Sequence, residues 1–139
     1  MKVKFSIPTI PVAKQRPRLG KHGSVYTPSK TKVFEEICRL AYGNRFYFED
    51  KYISVKIIFK FEVPSSYSKK KKQQALEGKI KPTKADIDNY IKSVLDGLNR
   101  VAWSDDRYIS SICAEKIFAD KSEIIVEIEN VEQGDDNEI

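Results

Sequence analysis

The chain has 139 residues, 40% of them hydrophobic, which is enough for one domain with a real core and too short to expect two. Two cysteines far apart in sequence, Cys38 and Cys113, exclude a zinc ribbon and a disulfide framework, and no segment approaches the roughly 20 apolar residues of a membrane span. The net charge of +5 hides an asymmetry: residues 1–119 carry 24 Lys and Arg against 12 acids, residues 120–139 carry one Lys against eight acids, and no acid precedes Glu35. A body so basic attracts polyanions, which makes nucleic acid the leading partner, although a basic protein-binding surface has the same composition. Both cysteines sit in apolar settings and read as buried free thiols; with no signal peptide, they point to a cytoplasmic protein.

Val3, Phe5 and Ile7 alternate with polar residues, so a half-buried strand opens the chain and ends near Pro8. Lys14 to His22 is basic and proline-broken, suited to an ordered loop or edge strand on a phosphate backbone, with Lys14, Arg16 and Arg18 as its contacts. His22, the only histidine, reads as an exposed loop residue. Thr27 and Pro28 read as the N-cap and first residue of a helix whose apolar face is Val33, Phe34, Ile37, Leu40 and Ala41, stopped by Gly43-Asn44. Tyr42, Phe46, Tyr47 and Phe48 near Arg45 then form a core or dimer-contact cluster. Ile53 to Val63 gives the cleanest strand alternation in the chain, terminated by Pro64.

Ser65 to Gly78 has helix-forming residues and very little apolar face, so an exposed helix is expected there. From Lys69 to Lys84 there are seven lysines and one acid; Lys69, Lys70, Lys71, Lys72 and Lys84 are the candidate DNA contacts. Beyond Arg107, Tyr108, Ile112, Ala114 and Phe118 share one parity and Ile124, Val126 and Ile128 share another, predicting two strands joined as a hairpin through Asp120 to Ser122. An acidic tail over 132–139 is too polar to join the core and is expected to be disordered, leaving 1–131 as the folded domain. These elements add up to a single α+β domain with a small mixed or antiparallel sheet packed against helices.

The stretch Lys84 to Arg107 carries the chemistry. Ile87, Ile91, Val94, Leu95 and Leu98 form a helical stripe, and Asp86, Asp88, Asp105 and Asp106 are acids that the stripe does not need. Residues two apart on a helix point about 200° apart, so Asp86 and Asp88 can lean toward one point only if Asp86 is the N-cap or still extended. Lys92 lies four residues after Asp88 on the same face. Gly97 and Asn99 read as a stop, after which the chain folds back through Trp103 and delivers Asp105 or Asp106 to the same place. Converging acids repel, and a hard cation such as Mg²⁺ or Mn²⁺ relieves them. Taken singly, Asp86 also fits a cap, Asp88 with Lys92 an exposed pair, and residues 104–106 a polar turn.

The block D-I-D-N-Y-I-K-S-V-L-D-G-L followed by W-S-D-D resembles the RusA family of Holliday junction resolvases. P-V-A-K-Q-R-P-R and V-Y-T-P, between Pro11 and Pro28, look like the N-terminal stretch of its phage and bacterial members. Carried over residue by residue, the resemblance implies that Asp86, Asp88 and Asp106 hold Mg²⁺ or Mn²⁺ and serve catalysis with Lys92. Asp105 is a second choice beside Asp106, and Asp96 reads as a helix-surface residue. It further implies a homodimer, two active sites on one face, and hydrolysis of four-way DNA junctions in recombination and repair. The residues themselves leave two alternatives open: a binding-only module for branched or single-stranded DNA, and a metal nuclease acting on other nucleic-acid structures.

Overall fold

The computed structural model describes residues 1–15, 18–20, 23, 25, 26 and 29–131. Arg16, the side chain of Arg18, His22, Thr27, Pro28 and the acidic tail lie outside the described residues. A strand β1 (Lys2–Ile7) is followed by a short antiparallel pair, β2 (Arg18–Leu19) and β3 (Val25–Tyr26), and then by helix α1 (Ser29–Tyr42). Next come strand β4 (Ile53–Glu62), helices α2 (Lys69–Leu76) and α3 (Ile87–Leu98), a single 3-10 turn (Asp106–Tyr108), and strands β5 (Ile109–Ala119) and β6 (Glu123–Asn130). Four strands form one mixed sheet in the order β1-β6-β4-β5, giving an α+β domain.

The expected hairpin of the last two strands does not form, because β4 lies between them. β4 runs antiparallel to β6 and parallel to β5. Its inward residues Ile53, Val55, Ile57 and Phe59 are all buried, each worth about 1.5–3 kcal/mol when removed from water, so this strand gains most from neighbours on both sides. The link at 120–122 must then step across two strand spacings, about 10 Å, which three residues can span. The backbone N–H of Glu62 donates to Ser122 Oγ and that of Val63 to the Ala119 carbonyl, pinning the link over the end of β4. Parallel strands cannot be joined by a tight turn, so the connection from β4 to β5 carries α2 and α3.

Helices α1 and α3 cover the sheet face formed by Val3, Phe5, Ile7, Val55, Ile57, Phe59, Ile124, Val126 and Ile128. The buried stripe of α1 is Thr31, Phe34, Cys38 and Tyr42, while Val33 and Leu40, expected to face the core, are 60% and 73% exposed. The rotation follows from the contact with α3. Gly97 is not a helix stop but lies within α3, and a Cβ placed on it would stand 2.7 Å from Cys38 Cβ, so the two helices meet where one has no side chain and the other a small one. Burial, helped by the nearby Glu35 carboxylate, pushes the Cys38 thiol up to about 12. Cys113, expected to be buried as well, is exposed because it pairs in register with Lys56 on the sheet face turned away from the helices.

On the opposite sheet face the alternation places charges. Lys2 pairs with Glu127 at 2.7 Å, and Lys60 and Lys121 both approach Glu123. Among the described residues, no helix is long and apolar enough to cross a membrane.

Candidate active site at the start of α3

The segment entering α3 is bent into place. Ala85 has φ +58°, a left-handed conformation that costs a non-glycine residue about 1–2 kcal/mol. Two hydrogen bonds hold it: Lys116 Nζ donates to the Ala85 carbonyl at 2.9 Å, and Tyr90 Oη donates to the Lys84 carbonyl at 2.7 Å. Burial raises the Tyr90 phenol above its ordinary range, which keeps that donor protonated. The bend delivers Asp86 in an extended conformation, as the N-cap of α3. An aspartate at this position ordinarily accepts from an N–H of the first turn. Here the Asp86 side chain makes no such bond, so its carboxylate is exposed and uncommitted. Asp88, in the first turn, is also exposed, and one of its oxygens accepts from the backbone N–H of Asn89.

The third acid arrives from the far end of the helix. Asn99 is the C-cap of α3 and its Oδ1 accepts from the indole N–H of the fully buried Trp103 at 2.6 Å. The backbone N–H of Arg100, at φ +71°, donates to the Trp103 carbonyl, and that of Phe48 to Ala102, so the return path is clamped to the core. Asp105 caps the following 3-10 turn by accepting from Arg107 N–H at 2.8 Å, a bond that holds its carboxyl below the ordinary range. That role separates the two neighbours: Asp105 is engaged with its own turn, and Asp106 faces α3. Directly after the turn, Ile53 pairs with Ile109 and Ser54 with Ser111, leaving Ser110 as an extra residue in β5. Its hydroxyl donates to the Ile53 carbonyl. Such bulges re-aim the chain beside them.

Lys92 Nζ lies 3.1 Å from Asp96 Oδ1 and 3.7 Å from Asp106 Oδ2. The exposed pair with Asp88, the alternative reading of these two residues, is not made; among the described residues Lys92 turns toward the C-terminal side of the helix instead. The hydrogen bond that Lys92 donates to Asp96, reinforced by the nearby Asp106, raises the Lys92 ammonium above the ordinary lysine range despite some burial. Asp96 is no bare surface residue, for its other oxygen meets Lys14 Nζ at 3.0 Å, and Lys14 also reaches Glu35 at 2.8 Å. The i,i+4 spacing of Lys92 and Asp96 was the available sequence signal; the partner 82 positions upstream had none. Burial pulls the Lys14 ammonium down, and its bonds to Glu35 and Asp96 outweigh that and leave it raised.

The structure thus joins Lys92, Asp96 and Asp106, and places Asp88 about one turn before Lys92 on α3, with Asp86 at the helix N-cap. Among the described residues no three acidic, cysteine or histidine side chains stand close enough together to form a ready-made metal cage. Lys14, expected on DNA, is instead half-buried in an internal ion network. The other lysines remain open: Lys69, Lys70, Lys71 and Lys84 are exposed, Lys72 is half-buried, and none pairs with an acid among the described residues. Ser68 caps α2 by accepting from Lys71 N–H, and Lys71 Nζ sits 4.0 Å from the centre of the Tyr67 ring, which packs on Phe118 of β5. A cleft of about 470 Å³ borders Lys84 and Ala85, floored by Phe61 and Tyr90 and flanked by Lys30, whose position sequence reasoning missed.

Residues 8–129 match the family model described as Endodeoxyribonuclease RusA. The chain belongs to the RusA endodeoxyribonuclease family. A Bacillus subtilis (strain 168) relative, the uncharacterized protein YqaN, is 31% identical over 137 residues, covering 93% of this chain and 96% of its own. In this RusA member, the matched span contains the start of α3, Lys92, Asp96 and the 3-10 turn.

Proposed function

We propose that the protein is a metal-dependent endodeoxyribonuclease that resolves four-way DNA junctions by paired phosphodiester hydrolysis, acting as a cytoplasmic homodimer in recombination and repair. The observation that carries this reading is local. In a chain of this family, two exposed carboxylates stand at a helix start without a counter-charge among the described residues, and a lysine on the next turn is held against a third carboxylate.

The donor set fits a hard divalent cation, because it consists of carboxylates with no cysteine or histidine among them. Asp86, Asp88 and Asp106 are not gathered into a cage as they stand and would have to draw together to hold Mg²⁺ or Mn²⁺, which when bound supplies a polarised phosphate and an activated water. Lys92 stays an ammonium throughout the neutral range and contributes positive charge where the pentacovalent phosphate gains negative charge. Lys84 and the exposed lysines of α2 offer unpaired charge to the phosphate backbone. Each chain has one carboxylate set, and a four-way junction needs two symmetric cuts, so two copies related by a two-fold axis match the substrate.

The test is to incubate the purified protein with labelled four-way junction, matched linear duplex and single strand, each with Mg²⁺ or with EDTA. Paired, Mg²⁺-dependent cuts in the junction alone are expected. Binding without cutting would leave a DNA-binding module, and equal cutting of all three substrates would remove the junction from the proposal. Light scattering at micromolar concentration should give twice the 16.0 kDa chain mass, and a monomer both with and without junction would end the dimer.

A further inference from the structure

We infer that Asp96 is a positioning residue for cleavage: it holds the Lys92 ammonium against Asp106 and locks that arrangement to the rest of the fold through Lys14. The inference rests on the proposed role of Lys92 and deepens it.

A lysine carries its charge on four rotatable bonds, and the Lys92 side chain is 54% exposed, so nothing in its own burial fixes the ammonium. Asp96 lies one turn further along the same helix face and supplies Oδ1 to Lys92. Its Oδ2 is used separately, by Lys14. Lys14 is itself held three ways: its ammonium reaches Glu35 on α1, it reaches Asp96 on α3, and its backbone N–H donates to the Asn89 carbonyl at 2.9 Å. Glu35 Cα lies beside Gly97, the point of closest approach of the two helices, so the far end of the chain of ion pairs is anchored where the packing is tightest. The result is a continuous line, Glu35–Lys14–Asp96–Lys92–Asp106, from the core helices to the candidate site. Asp96 is 19% exposed in its side chain and is the one member that touches both the anchored lysine and the site lysine.

An ion pair of this kind adds little to stability when partly exposed. Its effect on placement is larger, since a displacement of about 1 Å of a group that acts on the transition state can cost about a hundredfold in rate. Asp96→Asn keeps the shape and removes the charge that Lys92 and Lys14 share.

The experiment is a double-mutant cycle on single-turnover cleavage of a saturating four-way junction with Mg²⁺, using Asp96→Asn, Lys92→Ala and the pair, with junction affinity and thermal unfolding measured alongside. Asp96→Asn is expected to slow cutting by about tenfold or more while affinity stays within about twofold. In the Lys92→Ala background it should cause no further loss, and Asp96→Glu should recover most of the rate. Equal losses from Asp96→Asn with and without Lys92 would mean that Asp96 acts on the fold and not through the lysine, which overturns the inference. So would a wild-type rate for Asp96→Asn beside a crippled Lys92→Ala, leaving the proposed function standing. A wild-type rate for Lys92→Ala would remove the catalytic role of the lysine, and the positioning role with it.

Discussion

The two ends of α3 handle the same residue type in opposite ways. At its start, Asp86 leaves the cap bond unmade and Asp88 gives one oxygen to a neighbouring N–H, so both carboxylates face solvent without a counter-charge among the described residues. Toward its C-terminal side, Asp96 and Asp106 are bound up with Lys14 and Lys92. Like charges left together cost free energy that opposite charges relieve. A protein that neutralises acids at one end of a helix and leaves them bare at the other has an open end suited to a ligand and a matched end that holds Lys92 and Asp106 in place.

The largest expected effect comes from the open end. Replacing Asp86 or Asp88 singly with Asn keeps side-chain size and should leave thermal unfolding nearly unchanged, while Mg²⁺-dependent junction cutting falls by at least about a hundredfold. Gel-shift affinity should hold or tighten, because charge facing phosphate has been removed. Wild-type cutting by both variants would return these acids to the status of surface residues.

The matched end is best challenged through packing. Gly97→Ala brings a methyl to 2.7 Å from Cys38 Cβ and should destabilise the protein by about 1–3 kcal/mol in urea unfolding, because two helices must separate. Adding Cys38→Ala removes only the Sγ contact at 3.0 Å and should restore little, since the Cβ contact at 2.7 Å remains, whereas Cys38→Gly should restore more. Recovery with alanine would show that the helices adjust more freely than this packing implies.

A smaller change sharpens the view of the open end as the DNA side. Neutralising Lys69, Lys70, Lys71 and Lys72 to Gln should weaken junction binding and lower the log–log salt slope by about 0.9 for each phosphate that is no longer neutralised. An unchanged slope would turn α2 away from DNA.

The least effect is expected on the sheet face opposite α3. The hydrogen bond from Lys2 holds the Glu127 carboxyl below its ordinary value near 4.5. A depressed carboxyl stabilises the fold above that value and loses its contribution as pH falls through the folded pKa. Glu127→Gln should therefore lower the melting temperature slightly at pH 7, converge with the parent in acid, and leave cutting unaffected. A cutting defect at pH 7 would tie this face to the site.

Much of this protein was legible from local pattern. Alternation marked β1 and β4, and the lysine-rich stretch with almost no apolar face gave the exposed α2. The spacing around Asp86 marked a helix start, and the family match over residues 8–129 agrees with the resemblance carried by the same block of residues. These signals are short-range, set by periodicities of two and 3.6 residues and by caps. What they miss is which elements become neighbours. The last two strands were legible, but not that β4 separates them, because strand order depends on where the most apolar strand finds cover on both sides. The apolar residues of α1 were legible, but not which of them face inward, because Gly97 on another helix sets the rotation. Lys14 read as a DNA contact and Asp96 as surface, yet the two meet across 82 positions of chain. Local sequence determined the helices, the strands and the acids at the helix start; only tertiary packing decided which charges were matched, since an ion pair depends on distance in space and leaves no period in the sequence.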